Sequence, residues 1–141
     1  MLTMAHKHKT FATLLAGLVG ASGAHRFYLY GKRDFWAWTY VGLLLLYLCL
    51  ALSAYLELSP ISSILVVFPI PAYVGLIEAL ALGLTADEKW DQIHNPQSGL
   101  RTRSTWRLAV VLVLTLFFGF IALVAGLARA TDLYLTGGSF G

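Results

Sequence analysis

The sequence predicts an all-α membrane protein with three transmembrane helices and a short amino-terminal helix that is re-entrant or tilted; a four-helix transmembrane bundle is the alternative. Three observations lead there. Of the 141 residues, 58% are apolar and only 12% are charged, against roughly 25% charged in an average soluble protein. The apolar residues gather in four runs, 11–24, 35–56, 61–84 and 108–128, with the charges at their ends. The lysines and arginines are also unevenly shared among the connections.

A span of the bilayer core takes about 20 apolar residues. The last three runs meet that length. The run 11–24 is shorter and holds Gly17, Gly20 and Gly23, so it is re-entrant, interfacial, or short and tilted. The positive-inside rule separates these topologies. Lys7 and Lys9 precede the first run, Arg26, Lys32 and Arg33 follow it, and Lys89, Arg101, Arg103 and Arg107 lie between the third and fourth. The connection after the second run, around Glu57, has none, and only Arg129 follows the fourth. Four full crossings would split the cations between the two faces. If the first run enters and returns on one side, nine of the ten Lys and Arg residues fall on the cytoplasmic face. That places the amino terminus inside and the carboxyl terminus outside. A rival reading of residues 1–24 is a secretory signal, with a basic start, an apolar centre and small residues at Ala21 to Ala24, but its cleavage point would fall inside the motif described below.

The runs carry small residues at helical spacing. Ala12, Ala16, Gly20 and Ala24 form one row, Gly75, Ala79 and Gly83 another, and Gly119, Ala122, Gly126 and Ala130 a third. Such rows let helix backbones approach closely in a membrane. Trp36, Trp38 and Tyr40 at one end of the second run and Tyr55 at the other read as interface belts. Pro69 and Pro71 break the third run, so a helix is expected from about Pro71 toward Trp90. Glu78 is the one acidic residue deep in an apolar run. A carboxylate at mid-membrane costs roughly 3 kcal/mol on insertion scales. It should therefore meet a cation, for which Arg26 and His25 are the candidates, take up a proton, or face water. The connection 86–107 is polar and turn-rich, with an acidic first half and a basic second half. It can reach a cytoplasmic partner or anionic lipid headgroups, with Trp106 and Arg107 anchoring the fourth run.

Catalytic and metal chemistry find little support. Cys49 stands alone, so neither an internal disulfide nor a paired-cysteine metal site can form, and His94 has no second ligand at useful spacing. Ser22 and His25 are close in sequence, but there is no nucleophile elbow and no pair of carboxylates. No cofactor, metal or catalytic residue is expected. The net charge of +3 is distributed beside apolar runs, which argues for membrane anchoring and against nucleic acid.

The stretch "GLVGASGAHRFYLYG", 17–31, resembles the hallmark of the two-transmembrane (TM-two) domain family, a glycine-rich apolar run ending in G-x-x-G-x-H/D-R-F-Y-L-G. The matching residues are Gly17, Gly20, Gly23, His25, Arg26, Phe27, Tyr28, Leu29 and Gly31. The later family helix with an acidic residue is similar to "PAYVGLIEAL", 71–80. Tyr30 stands where the family has its glycine, with Gly31 one place on, and Glu78 replaces the usual aspartate. The resemblance covers roughly residues 1–85, which divides the chain into a TM-two-like membrane domain (1–85), a polar cytoplasmic connection (86–107) and an added transmembrane helix with a short tail (108–141). It implies a small integral membrane protein of the bacterial inner or plasma membrane that acts as an interaction or accessory module and carries no catalytic residues. The expected function is a non-enzymatic scaffold or accessory subunit that associates with copies of itself or with other membrane proteins. A small ion channel or proton-coupled transporter using Glu78, Arg26 and His25 is the alternative.

Overall fold

Among the described residues, large apolar side chains crowd the outside, while alanines, glycines and threonines share the inside with a few large side chains such as Leu29, Tyr40 and Trp90. The computed structural model describes residues 6–56 and 69–137. Among them the regular elements are helical: α1 (Lys9–Val19), α2 (Ala24–Tyr30), α3 (Phe35–Tyr55), α4 (Ile70–Leu84), α5 (Asp87–His94) and α6 (Trp106–Thr136), with a 3-10 turn at Gly20–Ser22 joining α1 to α2. Helices α3 and α6 are long and apolar enough to cross a membrane, and α4 with its bent continuation α5 is a third candidate. These are the features of an integral membrane protein. Glu57, Ser59, Pro60 and the start of the third apolar run lie outside the described residues.

At 11 residues, α1 is about 16 Å long, half the roughly 30 Å of a bilayer core. It does not run to the end of the apolar run at Ala24, so the glycine-rich segment before His25 is not a single helix. The helix stops at Val19, and the chain reverses at Gly23, whose φ of +71° is a left-handed conformation that costs glycine nothing. A new helix then begins, so His25 and Arg26 sit in the first turn of α2 and do not complement the carboxyl end of α1. Cations at a helix amino terminus are unfavourable by themselves; carboxylates from elsewhere compensate them, as described below. The end of α2 returns to the start of α1. The Tyr28 hydroxyl accepts from the His8 amide at 2.9 Å, and Lys7 Nζ donates to the Leu29 carbonyl.

The expected helix from Pro71 toward Trp90 is two helices at 108°. Pro71 occupies the first turn of α4, where its missing N–H is no loss. Thr85 and Ala86 are extended and end α4, and Asp87 and Glu88 supply negative charge to the first turn of α5, where the helix dipole favours it. The connection read as irregular from 86 to 107 therefore contains a helix, and α6 starts at Trp106, slightly earlier than the apolar run itself.

The α1 hairpin is central, packed along α4 and α6 and against α2. Its buried residues are Lys9, Ala12, Thr13 and Ala16, one helical face, whereas Leu18 is 74% exposed. On α6 the buried residues are Leu108, Thr115 and Gly126, while Val113, Leu116, Phe117 and Phe120 point outward. In water this inversion would be unstable. In lipid the tails solvate large apolar side chains as well as a core does, so close packing of small residues becomes the available attraction.

Candidate functional site

Glu78 gathers the polar residues of the apolar region around itself. One helical turn after Gly75, it projects from α4 toward α2 and α3. His25 Nε2 bonds Glu78 Oε2, and Arg26 Nη1 donates to Glu78 Oε1 at 3.2 Å. The other edge of the guanidinium, Nε, donates to Asp34 Oδ2 at 2.9 Å. Asp34 in turn caps α3 by accepting from the Ala37 amide at 3.0 Å, so one arginine ties the start of α3 to the middle of α4. The planar fork of arginine suits such bridging, since its donors diverge at fixed angles. The Tyr40 hydroxyl approaches the same Glu78 carboxylate, its ring meets the His25 ring edge-on at 5.6 Å, and Tyr30 lies under the guanidinium with 5.1 Å between Arg26 Cζ and the ring centroid.

The knot is uneven in its exposure. His25 is 1% exposed, and its Nδ1 has no hydrogen-bond partner among the described residues. Glu78 opens on a cavity of about 360 Å³ lined by Arg26, Trp36, Thr39, Tyr40 and Val74. The site can thus hold a carboxylate hydrogen-bonded by Arg26 and His25 and leave one edge reachable from outside.

The glycines of the motif make this geometry possible. A Cβ on Gly20 would stand 2.6 Å from the Gly75 Cα, and one on Gly75 would stand 2.8 Å from Gly20, so the two helices touch backbone to backbone. A Cβ on Gly23 would lie 2.8 Å from that of Tyr40. Gly17 faces Thr115 and Ala79, and Gly83 faces Leu112 and Thr13. Ala16 and Ala79 are buried, Gly119 meets Leu76, the Ala122 carbonyl accepts from Tyr73 Oη at 2.9 Å, and Gly126 is buried. The small-residue rows of α1 and α4 therefore serve contacts within one chain, whereas on α6 Gly126 is buried, Gly119 is partly covered and the Ala122 side chain is exposed. Of the remaining motif residues, Phe27 packs edge-on against Trp38, Tyr28 against Phe11, Leu29 is buried, and Gly31 ends α2.

A second polar cluster, which the sequence reading missed, joins the amino-terminal residues to α5 and the chain beyond it. Lys9 is 4% exposed; its ammonium donates to the Thr85 carbonyl, to Asp87 Oδ1 at 2.8 Å and to Ser104 Oγ at 3.0 Å. Trp90, fully buried, donates through Nε1 to the Lys7 carbonyl at 3.1 Å. Asn95 accepts from the Lys7 amide at 2.7 Å and donates to the Lys7 carbonyl. Asp91 and Asp87 accept from the amides of Thr102 and Ser104 at 2.7 and 2.6 Å. Desolvation alone would raise the Asp87 carboxyl, but the Lys9 ammonium and Ser104 outweigh it and hold it at about 2. Asp91 is likewise partly desolvated, yet Thr102 keeps it below the ordinary carboxylate value. Burial, helped by the charge of Lys7, presses His94 below the usual histidine range. No sequence signal marked this cluster: Lys9 stands among His8, Thr10 and Lys7, and its need for a partner follows only from its burial in the fold.

No group of three metal-ligating side chains occurs among the described residues. Compared with family models, curated proteins and solved structures, the chain matches none.

Proposed function

We propose that this chain is a TM-two-like, non-enzymatic membrane scaffold or accessory subunit, with α3, α4 and α6 as its spans and the α1–α2 hairpin entering and leaving through the cytoplasmic leaflet. The observation that carries this reading is the closure of the polar knot. Arg26 is shared between two carboxylates and Glu78 between Arg26 and His25, an arrangement that fixes helix register and gives each carboxylate of the knot a hydrogen-bonded partner. The contacts of Lys7 with Leu29 and of Lys9 with Asp87 and Ser104 support a common side for the amino terminus, the end of α2 and the 86–105 connection. Because the small-residue rows of α1 and α4 are occupied internally, association with a second copy or with another membrane protein would use the outward faces of α3 and α6, the latter with Ala122 exposed. Chemical crosslinking in the native membrane, followed by extraction in mild detergent, tests this. A defined crosslinked species or a stoichiometric copurifying membrane protein is expected; a strictly monomeric particle with neither contradicts it.

A second reading, a proton or ion pathway, is favoured by one observation: Glu78 meets a cavity and bonds His25 Nε2, whose ring has a buried Nδ1 with no hydrogen-bond partner among the described residues. Intramembrane ionisable residues often mark such pathways. Flux measured in reconstituted vesicles with the wild-type chain and with Glu78→Gln decides it. The pathway requires flux that the substitution abolishes, and equal flux in both removes it.

A further inference from the structure

We infer that the cleft between the amino-terminal residues and the chain leading into α6 binds the phosphate of an anionic phospholipid headgroup. The cleft has a volume of about 440 Å³, and Arg101, Arg103, Arg107, His6, His8 and Thr10 are among the residues that line it; no carboxylate does. Most cations of the described chain that sit near an acid are already paired, as Lys9 is with Asp87 and Arg26 with Asp34 and Glu78. Arg101, Arg103 and Arg107 are different. All three are exposed, and none makes a hydrogen bond or ion pair among the described residues.

The backbone explains why they converge. Thr102 and Ser104 each bond α5 twice, through the amide and the hydroxyl, Thr102 to Asp91 and Ser104 to Asp87. Alternate residues of an extended chain face opposite ways. With 102 and 104 held against the acidic face of α5, Arg103 lines the cleft and not the neighbouring cavity over Asp87, Glu88 and Asp91, whereas Arg101 stands at the border of the two. Arg107 joins them from the first turn of α6, where Thr105 makes no side-chain cap and the first amides are without intrahelical partners. Guanidinium groups bind phosphate oxygens through paired, charge-assisted hydrogen bonds.

The position selects a lipid over a free anion as the source of that phosphate. Trp106, 72% exposed, stands beside the cleft at the start of α6, and aromatic rings of this kind favour headgroup depth. From there the apolar surface of α6 runs on through Val110 and Val113, where acyl chains can follow. This inference does not depend on the scaffold reading.

The full chain in detergent, titrated with phosphatidylglycerol or phosphatidylcholine and read by native mass spectrometry, tests it. A single phosphatidylglycerol should be retained in preference to phosphatidylcholine. Arg101→Gln with Arg103→Gln should weaken its binding about tenfold or more, as should Arg107→Gln to a smaller degree. Lys32→Gln with Arg33→Gln removes the same charge outside the cleft and should change binding by less than about twofold. Thermal unfolding in the absence of anionic lipid should be similar for all variants, because the substituted side chains hold no contacts. Equal retention of both lipids overturns the inference, as does equal weakening by the two double variants. Inorganic phosphate that binds the cleft as tightly as the lipid overturns the assignment to a headgroup.

Discussion

Arg26 reaches Glu78 across 52 residues of sequence, with Nη1 3.2 Å from Oε1, while its Nε holds Asp34. The short α2 and the long α3 and α4 are therefore joined through one guanidinium. Removing the acid should show how much this junction stabilises. Glu78→Ala leaves both His25 and Arg26 without their partner in a poorly hydrated place, and a loss of about 2 kcal/mol is expected. Glu78→Gln keeps the shape and some hydrogen bonding and should lose less. Arg26→Lys keeps the charge but cannot span both carboxylates, so it too should lower the unfolding midpoint in detergent. Wild-type stability in Glu78→Ala would show that the junction is energetically idle.

Gly20 and Gly75 allow a sharper test, because their contact is backbone on backbone and no side chain can move aside. Gly20→Ala or Gly75→Ala should separate α1 from α4 and cost about 1 to 3 kcal/mol. Gly42, with nothing within 4 Å of an added Cβ, is the control. Gly42→Ala in mid-helix should be neutral or stabilise by up to about 1 kcal/mol. Denaturation of the three variants in mixed micelles would rank them, and an unstable Gly42→Ala beside an unchanged Gly75→Ala would refute the packing described.

The carboxyl of Asp87 titrates below its unfolded value of 3.8, at about 2. Its contribution is therefore fully present above roughly pH 4 and disappears as the pH falls toward about 2. At neutral pH Asp87→Asn strands the buried Lys9 ammonium and should lower the unfolding midpoint. The difference between wild type and variant should shrink through that acid window and vanish at its lower end. A difference that stays constant across the window would mean that the Lys9–Asp87 pair is not its origin.

Much of the helical plan could be read in advance from apolar run length, because lipid imposes a length on any segment that crosses it. The row of Gly75, Ala79 and Gly83 was visible as spacing, but spacing cannot say whether the facing surface belongs to the same chain. Here that surface is α1 with its 3-10 turn, together with α6. The break inside 17–31 was harder to see. Gly23 allows a left-handed residue without requiring one, and only the contact with Ala37 and Tyr40 shows why the chain turns there. The cluster of Lys9, Asp87, Trp90 and Ser104 was hidden for a different reason. Its members are polar or aromatic residues in segments that look like loops, and their partners lie as many as 95 residues apart.

Whether the α1–α2 hairpin returns to the side it entered is measured most directly by labelling. In a background with Cys49 replaced by alanine, single cysteines at Lys32 and at Arg101 are exposed to a membrane-impermeant thiol reagent in intact cells and in inverted vesicles. Both should be protected in cells and modified in inverted vesicles. Modification of the two positions from opposite faces would contradict this topology.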